Sequence, residues 1–310
     1  MESAILFGNG FNRIAGNGMS WEELLMDLAK VSHLPSDSNT LNYECIFMNI
    51  CNGGWKLGKD RVVQTEYGLK CQIADACKSF RTGPIYEELA HLPVSVYLTT
   101  NYDGVLDRTF TKMGYEYDRN TSCTTESIYS IRRCHAYQKP YSGMDKRIFP
   151  IHGEHAVPKS IMIGYDHYCG SLGKLDDFFK GNYAYTQNEK VIKLPRLLER
   201  LANDGSMSNM GTYWPDYFFT HNIHIIGLGL QLVETDLWWV LNKRSRNMQL
   251  TDSIKNRIYF YGDPDEQITN LLEAFDVDVV RVSARDPKEP ASWVEAYRIM
   301  MAEMSNRIIR

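Results

Sequence analysis

Arg257-Ile258-Tyr259-Phe260-Tyr261, then Asp265 to Phe275, then Val277-Asp278-Val279-Val280-Arg281-Val282 predicts strand, helix, strand. Units of this kind are what a parallel sheet is wound from. Outward from it, Asn222 to Ile226 predicts another strand, which runs into Gly227-Leu228-Gly229 and a helix near Thr235 to Arg244. At the other end of the chain, Ala4-Ile5-Leu6-Phe7 is a short apolar run stopped by Gly8-Asn9-Gly10, again a buried strand meeting a glycine turn. Val94 to Leu98 is β-branched and aromatic, the composition of a buried strand, and Asp103 to Met113 follows it as a helix. Ile148 to Ile151 is a further strand, ending at His152-Gly153, and Ser160 to Ile163 is a candidate for one more.

Helices are predicted over Thr65 to Phe80, Pro84 to Ala90, Leu172 to Leu201 and Pro290 to Arg310. Ser20-Trp21-Glu22-Glu23 has the form of a capping box ahead of Leu24, Leu25, Leu28 and Ala29 at helical spacing. Residues 118–147 are polar and predict loops or a small excursion from the core; residues 31–90 predict helical or loop insertions. Strands alternating with helices give an α/β class: a Rossmann-like, mainly parallel sheet with helices on both faces. The chain, residues 1–310, is expected to form a single nucleotide-binding domain.

Composition excludes more than it identifies. Hydrophobic residues make up 44% and charged residues 23%, so wholesale disorder is ruled out. A formal charge of -4 offers no overall basic field for nucleic acid or an anionic membrane. The seven cysteines are odd in number and none form C-x-x-C, which argues against a disulfide framework or a zinc ribbon. The first residues lack the basic flank and apolar stretch of a signal peptide. A cytoplasmic protein with reduced thiols is expected.

In doubly wound sheets ligands bind beyond the carboxyl ends of the strands. Four strands here end in glycine-rich or polar residues. Gly8-Asn9-Gly10 lets backbone approach a pyrophosphate, although Arg13 stands where a dehydrogenase would have its third glycine, and a plain tight turn reads equally well. Asn101 and Asp103 offer an amide and a carboxylate to one ligand, or else cap the next helix. His152 has the side chain of a general base at neutral pH. His155 lies three positions on, but no third ligand with metal spacing accompanies the pair, and no metal is expected. Gly227-Leu228-Gly229 repeats the glycine turn, and two such turns suit a dinucleotide.

The order of these motifs resembles the sirtuin-like family, in particular the stand-alone bacterial sirtuin-like NAD hydrolases of antiphage defence. Gly8-Asn9-Gly10-Phe11-Asn12 stands where the family has its first cofactor loop. Thr100-Asn101-Tyr102-Asp103 resembles its Asn-x-Asp cassette, with Asn by the nicotinamide ribose and Asp by the carboxamide. Ile151-His152-Gly153 resembles the catalytic histidine segment, and Ile161 to Tyr168 a strand-plus-Asp/Tyr segment that follows it. Gly227-Leu228-Gly229-Leu230, leading to Asp236, resembles the later ribose-binding loop. The resemblance implies Asn101 and His152 as catalytic residues. It implies Gly8, Asn9, Gly10, Phe11, Asn12, Thr100, Asp103, Gly227, Gly229 and Leu230 as NAD-binding residues. The four-cysteine zinc module of the family's deacylases is missing, so transfer of ADP-ribose to water is expected over deacylation. A non-catalytic NAD- or ADP-ribose-binding sensor or assembly module is the alternative reading, and an NAD-dependent protein deacylase a further one. Restraint of such an activity implies a homo-oligomer or a separate regulatory chain as partner. Membrane and nucleic-acid partners are not expected.

Overall fold

The computed structural model describes residues 1–16, 23, 59–123, 126, 128–140, 143–202, 212–232 and 234–309. The expected capping box at Ser20 and the helix after it lie outside these residues. The central element is β1 (Ser3–Phe7), buried along its whole length because both of its faces are covered. Side chains alternate across a strand. Ala4 and Leu6 therefore enter one apolar cluster, while Ile5 and Phe7 enter another on the opposite face.

Beside β1 lie β2 (Val96–Thr99) and β8 (Asn222–Ile226), both parallel to it, with Ile5 opposite Tyr97 on one side and His224 on the other. The sheet continues outward through β5 (Lys146–Pro150) beyond β2, and through β9 (Ile258–Gly262) and β10 (Val277–Arg281) beyond β8. These six strands are all parallel. Numbered by their own sequence order they run 3-2-1-4-5-6, the doubly wound Rossmann-like arrangement. The strand order reverses between β1 and β8, and a crevice opens there.

One helical layer contains α5 (Tyr165–Lys180), α7 (Trp214–Thr220) and α8 (Thr235–Met248), which supply Leu175, Phe178, Trp214, Phe218, Leu237 and Leu241 to the first cluster. The other layer holds α3 (Pro84–His91), α4 (Val105–Lys112) and α10 (Pro290–Ile309), with Tyr86, Leu89, Phe110, Tyr297 and Met300 in the second. A five-residue α1 (Gly10–Ile14) follows β1; α2 (Lys59–Lys78), α6 (Leu197–Ala202) and α9 (Glu266–Ala274) complete the described helices. Among the described residues no helix is long and apolar enough to cross a membrane.

Three sequence expectations are corrected. The polar stretch 118–147 is no excursion: β3 (Glu116–Cys123) and β4 (Cys134–Gln138) form an antiparallel pair that extends the main sheet past β5. As the outermost strand, β3 keeps mostly solvent-facing side chains, so it lacks the apolar signature of its inner neighbours. The long helix expected over 172–201 is instead α5, a separate exposed hairpin of β6 (Ala184–Gln187) and β7 (Lys190–Lys193), and then α6. Gly181, in the left-handed conformation at φ 80°, stops α5. Ser160 to Ile163 joins no strand ladder; a 3-10 turn spans Pro158–Ser160 and leads into buried, extended chain.

Candidate functional site

At the carboxyl ends of β1, β2, β5, β8 and β9 lies a cleft of about 830 Å³, lined by Asn9, Gly10, Asn12, Thr100, Asn101, Asp103, His152, Gly227 and Gly229 among others. That volume falls within the ~300–1,000 Å³ typical of small-molecule sites. Nine of the twelve sequence-derived site residues thus meet in one place. The other three, Gly8, Phe11 and Leu230, sit behind the wall. Phe11 packs edge-on against Phe7 and Tyr297, with ring centroids 5.8 and 5.0 Å apart, and Leu230 is fully buried.

The two glycine loops touch each other before they could touch any ligand. Gly10 N–H donates to Gly227 O at 2.9 Å, and Gly8 N–H to Ile226 O at 3.3 Å. A Cβ on Gly10 would lie 2.9 Å from both Gly227 Cα and Gly227 O, and 1.9 Å from the Tyr297 hydroxyl. The buried Tyr297 ring and the Gly227 backbone, at φ +66°, both stand in its way. Gly229 differs: a Cβ there would meet nothing within 4 Å, so the open space before it belongs to the cleft.

Asn101 follows β2 and is held by two bonds: its backbone N–H to Thr99 Oγ1 at 3.0 Å and its Nδ2 to Gly8 O at 3.2 Å. The second ties the β2 end to the first glycine loop. Asp103 is almost fully buried, with Oδ1 accepting the Val105 N–H at 2.7 Å and Oδ2 accepting Asn12 Nδ2 at 2.6 Å. The first of these bonds satisfies the N–H of the first residue of α4, although the N-cap itself is Gly104, in the left-handed conformation at φ 62°. Burial pushes its carboxyl above the ordinary range, against the pull of the Asn12 amide, the Val105 N–H and Arg108.

Asn12 has spent its amide internally. Nδ2 also donates to Asn9 Oδ1 at 3.0 Å, and Oδ1 accepts the Tyr86 hydroxyl at 2.6 Å. Because the Asp103 carboxylate only accepts hydrogen bonds, the amide nitrogen must face it, which leaves Oδ1 for the Tyr86 hydroxyl. Asn12 therefore sets Asp103 in place.

His152 follows β5 in the Ile151-His152-Gly153 turn. Its Nε2 lies 3.1 Å from Asp236 Oδ2 at the start of α8. The Tyr168 ring from α5 stands edge-on to the imidazole at a centroid distance of 5.4 Å. Asp236 itself is fully buried: Oδ2 accepts Ser171 Oγ at 3.2 Å and Oδ1 the Leu237 N–H at 2.9 Å. Burial alone would lower the His152 pKa, but the Asp236 carboxylate, with Glu234 further off, outweighs it and holds the imidazole above its ordinary value.

In the sequence Asp236 is only the residue to which the second glycine loop leads; the structure puts it behind His152, 84 residues away in the chain, at a contact no local motif announces. Ser171 and Tyr86 were likewise invisible. His155, the candidate metal partner, gives Nδ1 to Tyr102 O at 2.9 Å. Among the described residues no group of three or more His, Cys, Asp or Glu side chains is placed to hold a metal ion. Among the described residues, Cys71, Cys77, Cys123, Cys134 and Cys169 form no disulfide.

Fold and cleft together define a Rossmann-like α/β protein with a crevice at the switch point of its sheet, where polar strand-end side chains share the wall with apolar ones. No protein-family model matches the chain, and no curated protein matches it.

Proposed function

We propose that this protein is an NAD hydrolase of the sirtuin-like kind, cleaving the bond between nicotinamide and ribose. The observation that carries the reading is the convergence of Asn101, Asp103, His152 and two mutually packed glycine loops on one cleft at the β1/β8 switch point. Two glycine turns side by side accommodate the pyrophosphate and ribose groups of a dinucleotide, and the open face of Gly229 admits backbone approach.

Cleavage breaks the C1′–N bond. The electron pair leaves with nicotinamide, which departs neutral and needs no strong acid, while positive charge builds on the ribose as in glycoside hydrolysis. Water supplies the new C1′–O bond and loses one proton, giving ADP-ribose, nicotinamide and H⁺. Asp103 keeps a further lone pair on each carboxylate oxygen for a carboxamide N–H. Asn101 orients the attacking water or the ribose hydroxyls, an effect of position. His152 takes the proton; a base so placed contributes about 10²–10⁴-fold.

Incubating the purified protein with NAD and quantifying free nicotinamide by chromatography tests this. Release by the wild type, lost in Asn101→Ala and His152→Ala, is the expected result. Tight calorimetric binding of NAD with the dinucleotide recovered intact would instead establish a binding module. Nicotinamide release only in the presence of an acyl-lysine peptide would establish a deacylase.

A further inference from the structure

Asp236 is a charged residue with no exposure, and nothing in the reading above uses it. An isolated buried carboxylate is costly unless each oxygen is satisfied. Here Ser171 Oγ and the Leu237 N–H fix its orientation, from α5 and from α8, and the remaining direction of Oδ2 points to His152 Nε2. A carboxylate only accepts hydrogen bonds, so the proton of a neutral imidazole in this contact sits on Nε2. Nδ1 is then the ring nitrogen with a lone pair, and it takes no hydrogen bond from the described residues.

We infer that Asp236, seated by Ser171, is a positioning residue that holds His152 in the Nε2–H tautomer and leaves Nδ1 as the basic nitrogen of the cleft. The inference rests on the proposed hydrolysis only for its kinetic consequences; the tautomer itself can be read without substrate. Other groups facing His152 agree with it. Tyr168 presents a ring edge from α5, and Glu234, ahead of α8, adds negative charge of the same sign as Asp236. The pair resembles in logic the carboxylate that orients a histidine base in other hydrolases, where the acid fixes tautomer and does not itself take the proton.

A base must be neutral to work. With the His152 pKa above its ordinary value, the working form grows as pH rises through that raised pKa, so kcat/KM should climb over a limb centred above pH 6.5. Removing the carboxylate moves the limb down.

The test is nitrogen-15 NMR of histidine-labelled protein, with the His152 signals assigned by comparison with His152→Gln. The expected wild-type result is an Nε2–H tautomer at high pH and a midpoint above 6.5. In Asp236→Asn the midpoint should fall, and Ser171→Ala should move it in the same direction by less. Where turnover is measurable, kcat in Asp236→Asn should drop by about 10²–10⁴-fold with KM changed little. An Nδ1–H tautomer in the wild type overturns the inference. So does a midpoint that stays put in both variants, even if their melting temperatures fall. A wild type that titrates as described yet releases no nicotinamide would remove the hydrolase reading and leave the positioning role intact.

Discussion

His152 and His135 each face carboxylates, and their surroundings turn them to opposite uses. His152, at the cleft, has one acidic partner, Asp236, and a second nitrogen left without a hydrogen bond from the described residues. His135, on β4, is bonded on both sides: Nδ1 to Asp107 Oδ1 at 2.7 Å and Nε2 to Glu154 Oε2 at 2.8 Å. Burial works against charge at His135 too, but two carboxylates overwhelm it and push the pKa up to about 11. An imidazolium held at both nitrogens has no proton to exchange at neutral pH. It serves as a cross-tie, with Arg133 also on Glu154 and the Tyr137 hydroxyl on Asp107 at 2.8 Å. Glu154 is two residues beyond His152, so the locked histidine anchors the turn that carries the poised one. The number of carboxylates and the availability of one ring nitrogen separate the two roles.

The largest expected effects come from exchanging these residues. His152→Ala should cost about 10²–10⁴-fold in nicotinamide release per folded molecule, and stability as well, because it leaves the buried Asp236 carboxylate without its partner. His135→Ala leaves Asp107 and Glu154 partly uncompensated and should cost about 3–5 kcal/mol of stability in urea unfolding. Its turnover per folded molecule should stay within about tenfold of wild type. A catalytic collapse in a well-folded His135→Ala would break the comparison.

The pH dependence sharpens it. His135 has a folded-state pKa raised from 6.5 to about 11, so its stabilising contribution is fully present below pH 6.5 and lost as pH rises through about 11. The stability gap between wild type and His135→Ala should therefore shrink steadily from pH 7 toward pH 11. A gap that does not change with pH would mean that packing alone, and not charge, is what His135 contributes.

Smaller effects distinguish the glycines. Gly10→Ala forces a Cβ onto the Gly227 backbone and should destabilise by about 1–3 kcal/mol. Gly229→Ala meets open space and should stay within about 0.5 kcal/mol of wild type, while weakening calorimetric binding of NAD. Equal stability losses in the two would contradict the division between a glycine packed on its own chain and one facing the cleft.

Much of the parallel sheet was legible because its strands are short apolar runs cut off by glycine or polar turns, as at Phe7-Gly8, Ile226-Gly227 and Tyr261-Gly262. Edge elements were not. The sequence of β3, Glu-Tyr-Asp-Arg-Asn-Thr-Ser-Cys, is held by its pairing with β4 and carries no buried face to write a pattern. The exposed β6–β7 hairpin was hidden for the same reason. At the site, the residues on strand ends could be read from local punctuation. Their supports could not: Tyr86 reaches Asn12 across 74 residues, Asn12 reaches Asp103 across 91, and Asp236 reaches His152 across 84. Contacts of that span are products of the fold and leave no local mark.

The most direct measurement is a single-turnover incubation with NAD of three proteins side by side: wild type, His152→Ala and His135→Ala, at a temperature where unfolding curves show all three folded. The account predicts stoichiometric nicotinamide from wild type and His135→Ala at similar rates, and release slowed by about 10²–10⁴-fold in His152→Ala. Equal rates of release by wild type and His152→Ala, or intact NAD recovered from the wild type, would contradict it.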